Sequence, residues 1–185
     1  MKRFNVAKNI INRFLPEDSF VLVYGDTLSR ELFELDKDNI LYLGSEITPS
    51  VIIGLAMCTK KKILLFCTNE DIIFNLDSFI QIALSKLKNI ICVVFDSNIN
   101  EDTLQASLFR QVGSVRGVLF NMGFIVHDYT NFFDNKPPNE VKISFNRVVG
   151  PICVLIKTSN GVNSNLKNTI YLEDNIKRFK TKFQE

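Results

Sequence analysis

Short runs of hydrophobic residues recur along the chain, and longer stretches of mixed polarity separate them. Six of these runs are four to six residues long. A run that is apolar on both faces is typical of a strand inside a sheet covered on both sides. The predicted strands are residues 20–24, 40–43, 63–67, 90–95, 124–127 and 152–157.

The stretches between the strands carry hydrophobic residues three or four positions apart, which is the spacing of one helix face. Pro16 ends the first predicted helix, Thr48 and Pro49 begin the third as N-cap and first turn, and Gly123 follows the fifth. The predicted helices are residues 6–15, 27–35, 48–58, 71–87, 115–122 and 172–183.

Strands that alternate with helices predict an α/β fold. We expect a doubly wound, three-layer α/β/α domain with a mostly parallel six-stranded sheet, because right-handed crossovers place helices on both faces. A length of 185 residues fits a single domain that covers residues 1–185. Ligands of such folds bind at the carboxyl ends of the strands. The loops of interest are therefore 25–27, 44–48, 68–71 and 96–104.

Composition excludes several classes of function. The net charge is +2 and the charges are interspersed, so the basic face that nucleic acids require is not predicted. No apolar run reaches the roughly 18 residues of a membrane span. The first fifteen residues lack the apolar core of a secretory signal, and we expect a cytoplasmic protein.

The residues most often used for catalysis or metal binding give little signal. None of the four cysteines has metal-ligand spacing, and three lie in apolar runs, which indicates buried free thiols. His127 is the only histidine and is interpreted as structural. Arg30 and Glu31 lie in a predicted helix and are interpreted as solvated charges. The sequence does not identify a catalytic residue.

The order of several short motifs resembles the diphosphate-binding domain of thiamine-diphosphate-dependent phosphonopyruvate and sulfopyruvate decarboxylases. The most telling motif is SRELF at residues 29–33, in a stretch that begins at Glu17. The other motifs follow in the family's order and spacing: LYLGS at 41–45, SVIIGLA at 50–56, VVFDSN at 93–98, Gly150-Pro151, and NIKRF at 175–179.

This resemblance implies a cofactor, a reaction and a partner. The cofactors would be thiamine diphosphate and Mg²⁺, and the reaction would be decarboxylation of a small 2-oxo acid by a lyase. The chain would act with a separate pyrimidine-binding chain, in a hetero- or homo-oligomer. The residues that match the family's cofactor-binding positions are Gly25, Asp26, Gly44, Ser45, Thr68, Asn69, Glu70 and Asn98. The matching metal positions are Asn69, Ser97 and Ile99, the last through its backbone carbonyl.

The metal-binding motif departs from the family pattern. Where the family has Gly-Asp-Gly, this chain has Thr68, Asn69 and Glu70. Mg²⁺ prefers hard, charged oxygen ligands, and Asn69 offers only a carbonyl oxygen. Glu70 adds a side chain and a negative charge where a glycine would let backbone N–H groups approach a phosphate.

Two interpretations of residues 69–71 follow. In the first, Asn69 caps the helix and the acids complement its dipole, so the helix end that binds diphosphate in the family is occupied by the chain itself. In the second, Glu70 or Asp71 replaces the lost aspartate in a shifted metal site. The first predicts a non-catalytic relative that scaffolds or regulates a partner chain, and the second predicts a subunit of an active decarboxylase.

Overall fold

The computed structural model describes residues 2–14, 19–35, 38–45, 47–97, 114–129, 150–159 and 172–184. The strands are β1 (Ser19–Tyr24), β2 (Ile40–Gly44), β3 (Lys62–Thr68), β4 (Ile90–Asp96), β5 (Ile125–Asp128) and β6 (Ile152–Lys157). The helices are α1 (Arg3–Phe14), α2 (Asp26–Leu32), α3 (Val51–Cys58), α4 (Asn69–Phe74), α5 (Leu76–Ser85), α6 (Val115–Met122) and α7 (Leu172–Gln184). A short 3₁₀ turn, Phe33–Leu35, extends α2.

All six strands form one sheet in the order β2-β1-β3-β4-β6-β5, and every neighbouring pair is parallel. The α/β fold predicted from the hydrophobic runs is confirmed. The chain passes from β1 outward to β2 and then returns to place β3 on the other side of β1. The strand order therefore reverses at β1, and a crevice forms there at the carboxyl edge of the sheet.

Two hydrophobic cores lie on opposite faces of the sheet. Alternate residues of β4 show the division, since Val93 faces one core and Cys92 faces the other. Helices α1 and α2 cover the first face, and α3, α4, α5, α6 and α7 contribute to the second. This is the predicted three-layer arrangement. Five strands are almost fully buried because both faces are covered, and the edge strand β5 is partly exposed.

Two predicted helix boundaries are wrong. The single helix predicted over 71–87 is two helices, because Asn75 adopts a non-helical backbone conformation between α4 and α5. Its side-chain amide donates to the carbonyl oxygen of Asp71 at 2.9 Å. Such a local bond from a side chain to the backbone competes with the continuation of the helix. The N-cap of α3 is Ser50 and not Thr48, whose hydroxyl instead bonds with that of Ser50 at 2.9 Å.

The interpretation of Glu31 as a solvated charge is also wrong, while Arg30 is exposed as expected. Glu31 is buried, and its Oε2 accepts hydrogen bonds from Nε and Nη2 of Arg3, which is 1% exposed. The pair joins α1 to α2 on the first face of the sheet. The described ranges contain no helix with the length and apolar character that crossing a bilayer requires.

Candidate functional site

A cleft of about 330 Å³ opens at the carboxyl edge of the sheet, where the strand order reverses. The ends of β1, β2, β3 and β4 all contribute to its walls. Its lining residues are Tyr24, Gly25, Asp26, Thr27, Leu28, Ser45, Thr68, Asn69, Glu70, Asp71, Phe74, Asn75 and Ser97. This location agrees with the loops that the sequence singled out.

One wall of the cleft is formed by the turns after β1 and β2. The Asp26 carboxylate accepts hydrogen bonds from the backbone N–H of Ser45 at 2.8 Å and from its hydroxyl at 2.9 Å. The N–H of Gly25 donates to the carbonyl oxygen of Gly44 at 2.9 Å. Gly44 has a φ of 61°, and a Cβ there would lie 2.9 Å from Asp26 Oδ1, so the close approach of the two turns requires glycine.

The opposite wall is the first turn of α4, which is closed by a capping box. The N-cap is Thr68, one residue before the predicted Asn69, and its hydroxyl oxygen accepts from the N–H of Asp71 at 3.3 Å. In return, Asp71 Oδ2 accepts from the Thr68 N–H at 2.7 Å and from the Thr68 hydroxyl at 2.8 Å. Polar groups in the first turn of the helix are thus hydrogen-bonded to one another.

Asn69 and Glu70 are both held inside the wall of the cleft. Asn69 is 1% exposed and Glu70 is 7% exposed. Ser97, at the end of β4, lines the same cleft. The structure therefore brings together Gly25, Asp26, Ser45, Thr68, Asn69, Glu70 and Ser97, with Gly44 bonded beside them. Asn98 and Ile99, predicted as cofactor and metal contacts, lie outside the described residues.

Four lining residues were missed by sequence analysis: Tyr24, Leu28, Phe74 and Asn75. The Tyr24 phenol donates to Asn75 Oδ1 at 3.2 Å. Burial raises the pKa of Tyr24, and the carboxylates of Asp71 and Asp26 raise it further, against the opposing hydrogen bond to Asn75. An asparagine in the middle of a predicted helix was the available signal, because asparagine bonds its neighbouring backbone in preference to continuing a helix.

The charges of the cleft are of one sign. Three carboxylates line it, those of Asp26, Glu70 and Asp71, and the lining residues that the structure describes include no lysine, arginine or histidine. Across the same described ranges, no group of three or more His, Cys, Asp or Glu side chains is placed to hold a metal ion. The cleft favours a neutral or cationic group over an anion.

Thiamine diphosphate, which the sequence resemblance implies, does not fit this set of residues. A diphosphate needs unsatisfied N–H groups, basic side chains or a bound cation. Here Asp71 and Thr68 occupy the helix end, and Glu70 takes the position that glycine has in the family motif. The described part of the cleft supplies none of the positive charge that a diphosphate requires.

Comparison with known proteins identifies the fold. No protein-family model and no curated protein matches the sequence. A protein from Mycobacterium smegmatis, provisionally assigned as a thiamin diphosphate-dependent enzyme, is similar in structure, with a TM-score of 0.65 and 15% identity over 86% of this chain. The thiamine diphosphate-dependent 4-hydroxybenzoylformate decarboxylase of Rhodococcus jostii RHA1 has a TM-score of 0.64 and 6% identity, also over 86% of this chain.

The matched region is 32% of the first of these proteins and 33% of the second. This chain thus spans about a third of the length of each. At such low identity the similarity concerns the backbone and not the side chains of the cleft. The chain has a fold that both thiamine-diphosphate-dependent enzymes contain as part of a longer polypeptide.

Proposed function

We propose that this chain is a non-catalytic relative of the thiamine-diphosphate-dependent decarboxylases, which keeps the diphosphate-binding fold and scaffolds or regulates a partner chain. The observation that carries the proposal is the closed first turn of α4. Its Thr68–Asp71 capping box and the buried Glu70 occupy the helix end that would face a diphosphate.

The energetic argument rests on Glu70. Two like charges about 4 Å apart repel by roughly 4 kcal/mol at an effective dielectric constant of about 20, which corresponds to nearly three orders of magnitude in affinity. Asp26 and Asp71 add charge of the same sign to the same cleft. Asn69, at the position of the family's metal-binding aspartate, has no charge, so a cation that offset this repulsion would have to be held by Glu70 or Asp71 in the shifted metal site.

Isothermal titration with thiamine diphosphate and Mg²⁺ tests this proposal. We expect no binding to the wild-type chain up to millimolar cofactor. The triple substitution Thr68→Gly, Asn69→Asp and Glu70→Gly removes the capping hydroxyl and the Glu70 carboxylate and restores the family motif, so cofactor binding should appear. Glu34→Gln, which removes an exposed carboxylate outside the cleft, is the control and should remain without binding.

The proposal fails if the wild-type chain binds the cofactor as tightly as the triple variant does. The same titration should be repeated with any chain that co-purifies, because the family completes its cofactor site with a pyrimidine-binding partner. Wild-type binding that appears only with the partner would also contradict a non-catalytic role.

A second candidate function is the diphosphate-binding subunit of an active decarboxylase. The observation that favours it is that Asn69 and Ser97, two of the three predicted metal positions, line one cleft at the reversal of strand order. Release of CO₂ from a phosphono-, sulfo- or related 2-oxo acid by the chain with its partner would establish this function. Dependence of that release on Asn69 would separate it from the activity of the partner alone.

A further inference from the structure

Three helices on the second face of the sheet each end with a large, exposed apolar side chain. Met57, Leu84 and Phe120 lie in the last turns of α3, α5 and α6, and they are 72%, 67% and 69% exposed respectively. Each of these helices leads into the next strand of a parallel sheet, so all three end at the amino edge of the sheet, opposite the cleft. Helix α5 contacts both α3 and α6, which makes the three helix ends neighbours.

The same edge carries a cluster of lysines. Lys60 and Lys61 lie in the turn before β3, and Lys86 and Lys88 lie in the turn before β4. The side-chain amide of Asn89 ties the two turns together, because it donates to the carbonyl oxygen of Lys61 at 3.2 Å. Neither turn contains an acidic residue, so the local charge is positive. We define the basic edge as these four lysines together with the three apolar side chains.

The described residues are polarised in charge along the direction of the strands. Helix α7 has two acids in its first turn and Lys182 in its last. The Phe183 ring lies 4.8 Å from that of Phe20 at the start of β1, and the Nζ of Lys61 lies 5.2 Å from the same Phe20 ring. The basic end of α7 is therefore also at the amino edge, whereas three carboxylates line the cleft at the carboxyl edge.

We propose that the basic edge binds the surface of an anionic lipid bilayer, with Met57, Leu84 and Phe120 inserted among the lipid headgroups. Each lysine near a negatively charged bilayer strengthens binding by about five-fold. The exposed apolar side chains gain further by leaving water. In this orientation the acidic cleft faces away from the bilayer, which would repel its carboxylates.

The residue types of the basic edge favour a bilayer over other anionic partners. All four bases are lysines, whose compact, hydrated charge suits a diffuse negative surface, whereas arginine suits the specific recognition of single carboxylates or phosphates. Protein interfaces are depleted of lysine. Contacts to a nucleic-acid backbone come from basic and polar groups, which leaves no role for three exposed apolar side chains.

This inference does not rest on the proposed function, because the basic edge lies opposite the cleft. Its test is co-sedimentation of the full chain with vesicles of phosphatidylcholine and phosphatidylserine, and with vesicles of phosphatidylcholine alone. We expect binding only to the anionic vesicles, and added salt should weaken it through screening. Lys60→Gln with Lys88→Gln should weaken binding by about 25-fold, about five-fold for each lysine. Lys8→Gln with Lys157→Gln removes the same charge from exposed positions on α1 and β6, and this matched control should leave binding unchanged.

Cys58 gives a direct measure of insertion, because it is exposed beside Met57 while the other three cysteines are buried. The emission of the fluorophore NBD attached to Cys58 should shift to the blue when anionic vesicles are added. Leu84→Ser and Phe120→Ser should each weaken vesicle binding by about ten-fold, since a large apolar side chain no longer leaves water. Ile176→Ser, at an exposed position on α7, is the control and should have no effect.

Several outcomes would overturn the proposal. One is no binding to anionic vesicles, and another is equal binding to vesicles of phosphatidylcholine alone. An equal loss with the Lys60 and Lys88 pair and with the control pair would show that only net charge matters. Binding without a shift in NBD emission would exclude insertion. Binding to poly-glutamate but not to vesicles would assign the basic edge to an acidic protein partner instead.

Discussion

Arg3 of α1 and Glu31 of α2 form a buried ion pair between positions far apart in the sequence. Arg3 and Glu31 are both almost fully removed from water, and Arg3 Nε lies 2.7 Å from Glu31 Oε2. Moving two charges out of water is costly, and their attraction offsets that cost only while both are present. The pair fixes α1 against α2, the helix that begins at Asp26 in the cleft.

We predict that breaking this pair is more harmful than removing it. Glu31→Leu leaves the Arg3 charge buried and should lower the free energy of unfolding by about 3–5 kcal/mol. Arg3→Met combined with Glu31→Leu should be less destabilised than Glu31→Leu alone, because no charge remains buried. Urea unfolding monitored by circular dichroism measures both. Arg30→Ala, an exposed neighbour, should change the free energy by no more than about 0.5 kcal/mol. A double variant as unstable as the single one would contradict the argument.

Residue-level environments were the least predictable part of the sequence. Arg30 and Glu31 are adjacent and both charged, yet one is exposed and the other is buried. The difference is set by Arg3, twenty-eight positions earlier, and a distant partner leaves no local pattern. The place of Tyr24 in the cleft was unpredictable for a similar reason, since its hydrogen-bond partner Asn75 is far away in the sequence.

Helix α4 shows how an element boundary shapes the candidate site. Its N-terminal turn is closed by Thr68 and Asp71, which exchange three hydrogen bonds. Because the same turn faces the cleft, the residues that stabilise the helix also set the charge that a ligand meets. The residues that stabilise α4 are therefore the same ones that, under the proposed function, oppose a bound anion.

We predict that removing the Thr68 hydroxyl weakens the capping box. Thr68→Ala should lower the free energy of unfolding by about 1 kcal/mol, because the N–H of Asp71 loses its acceptor. Thr68→Ser keeps the hydroxyl and should retain most of that stability. Thermal or urea unfolding of the two variants gives the comparison. Equal destabilisation by alanine and serine would show that the methyl group of Thr68 matters and that the cap does not.

The sequence predicted elements better than it predicted their ends. Every predicted strand is present. The runs are four to six residues long, which is too short for most helices, and five of the six are buried on both faces, whereas β5 is partly exposed at the edge of the sheet. Helix 115–122 and its terminal Gly123 were correct, and Gly123 has the positive φ of 100° that such an end requires. The break at Asn75 was missed because the apolar periodicity continues across it from α4 into α5.

At the scale of the whole molecule, strand order determines which residues meet. The hydrophobic runs predicted six strands and a mostly parallel sheet, and described residues of the loops at its carboxyl edge line one cleft. They could not predict that the carboxylates of Asp26, Glu70 and Asp71 line one cleft. That arrangement depends on how the turns after β1 and β3 are placed in space.

The second core contains three buried thiols on adjacent strands. Cys92 of β4 is paired in register with Cys153 of β6, and Cys67 lies on the neighbouring β3. Burial raises the pKa of all three thiols, to about 12 for Cys92. These groups stay protonated in the folded protein at pH values where an unfolded chain has already ionised them.

We predict that the protein loses stability as the pH rises above about 9. An unfolded cysteine ionises near pH 8.5, so below that pH the thiols do not change the free energy of unfolding. Above it the unfolded state binds fewer protons than the folded state, and the free energy of unfolding falls by up to about 1.4 kcal/mol per pH unit for each thiol. Burial lowers the pKa of Lys62, which opposes this trend at higher pH, so measurements should stay below about pH 10.

The slope of the free energy of unfolding against pH identifies which thiols cause the loss of stability. Urea unfolding between pH 7 and pH 10 should show a decline of about 4 kcal/mol per pH unit when all three thiols contribute in full. Cys92→Ala should be less stable at neutral pH because it leaves a cavity, yet its decline above pH 9 should be about one-third shallower. Cys58→Ala removes a thiol that is already in water and should leave the slope unchanged. If Cys58→Ala and Cys92→Ala reduced the slope equally, the loss of stability would not come from the buried thiols and would have to be assigned to charges elsewhere on the sheet.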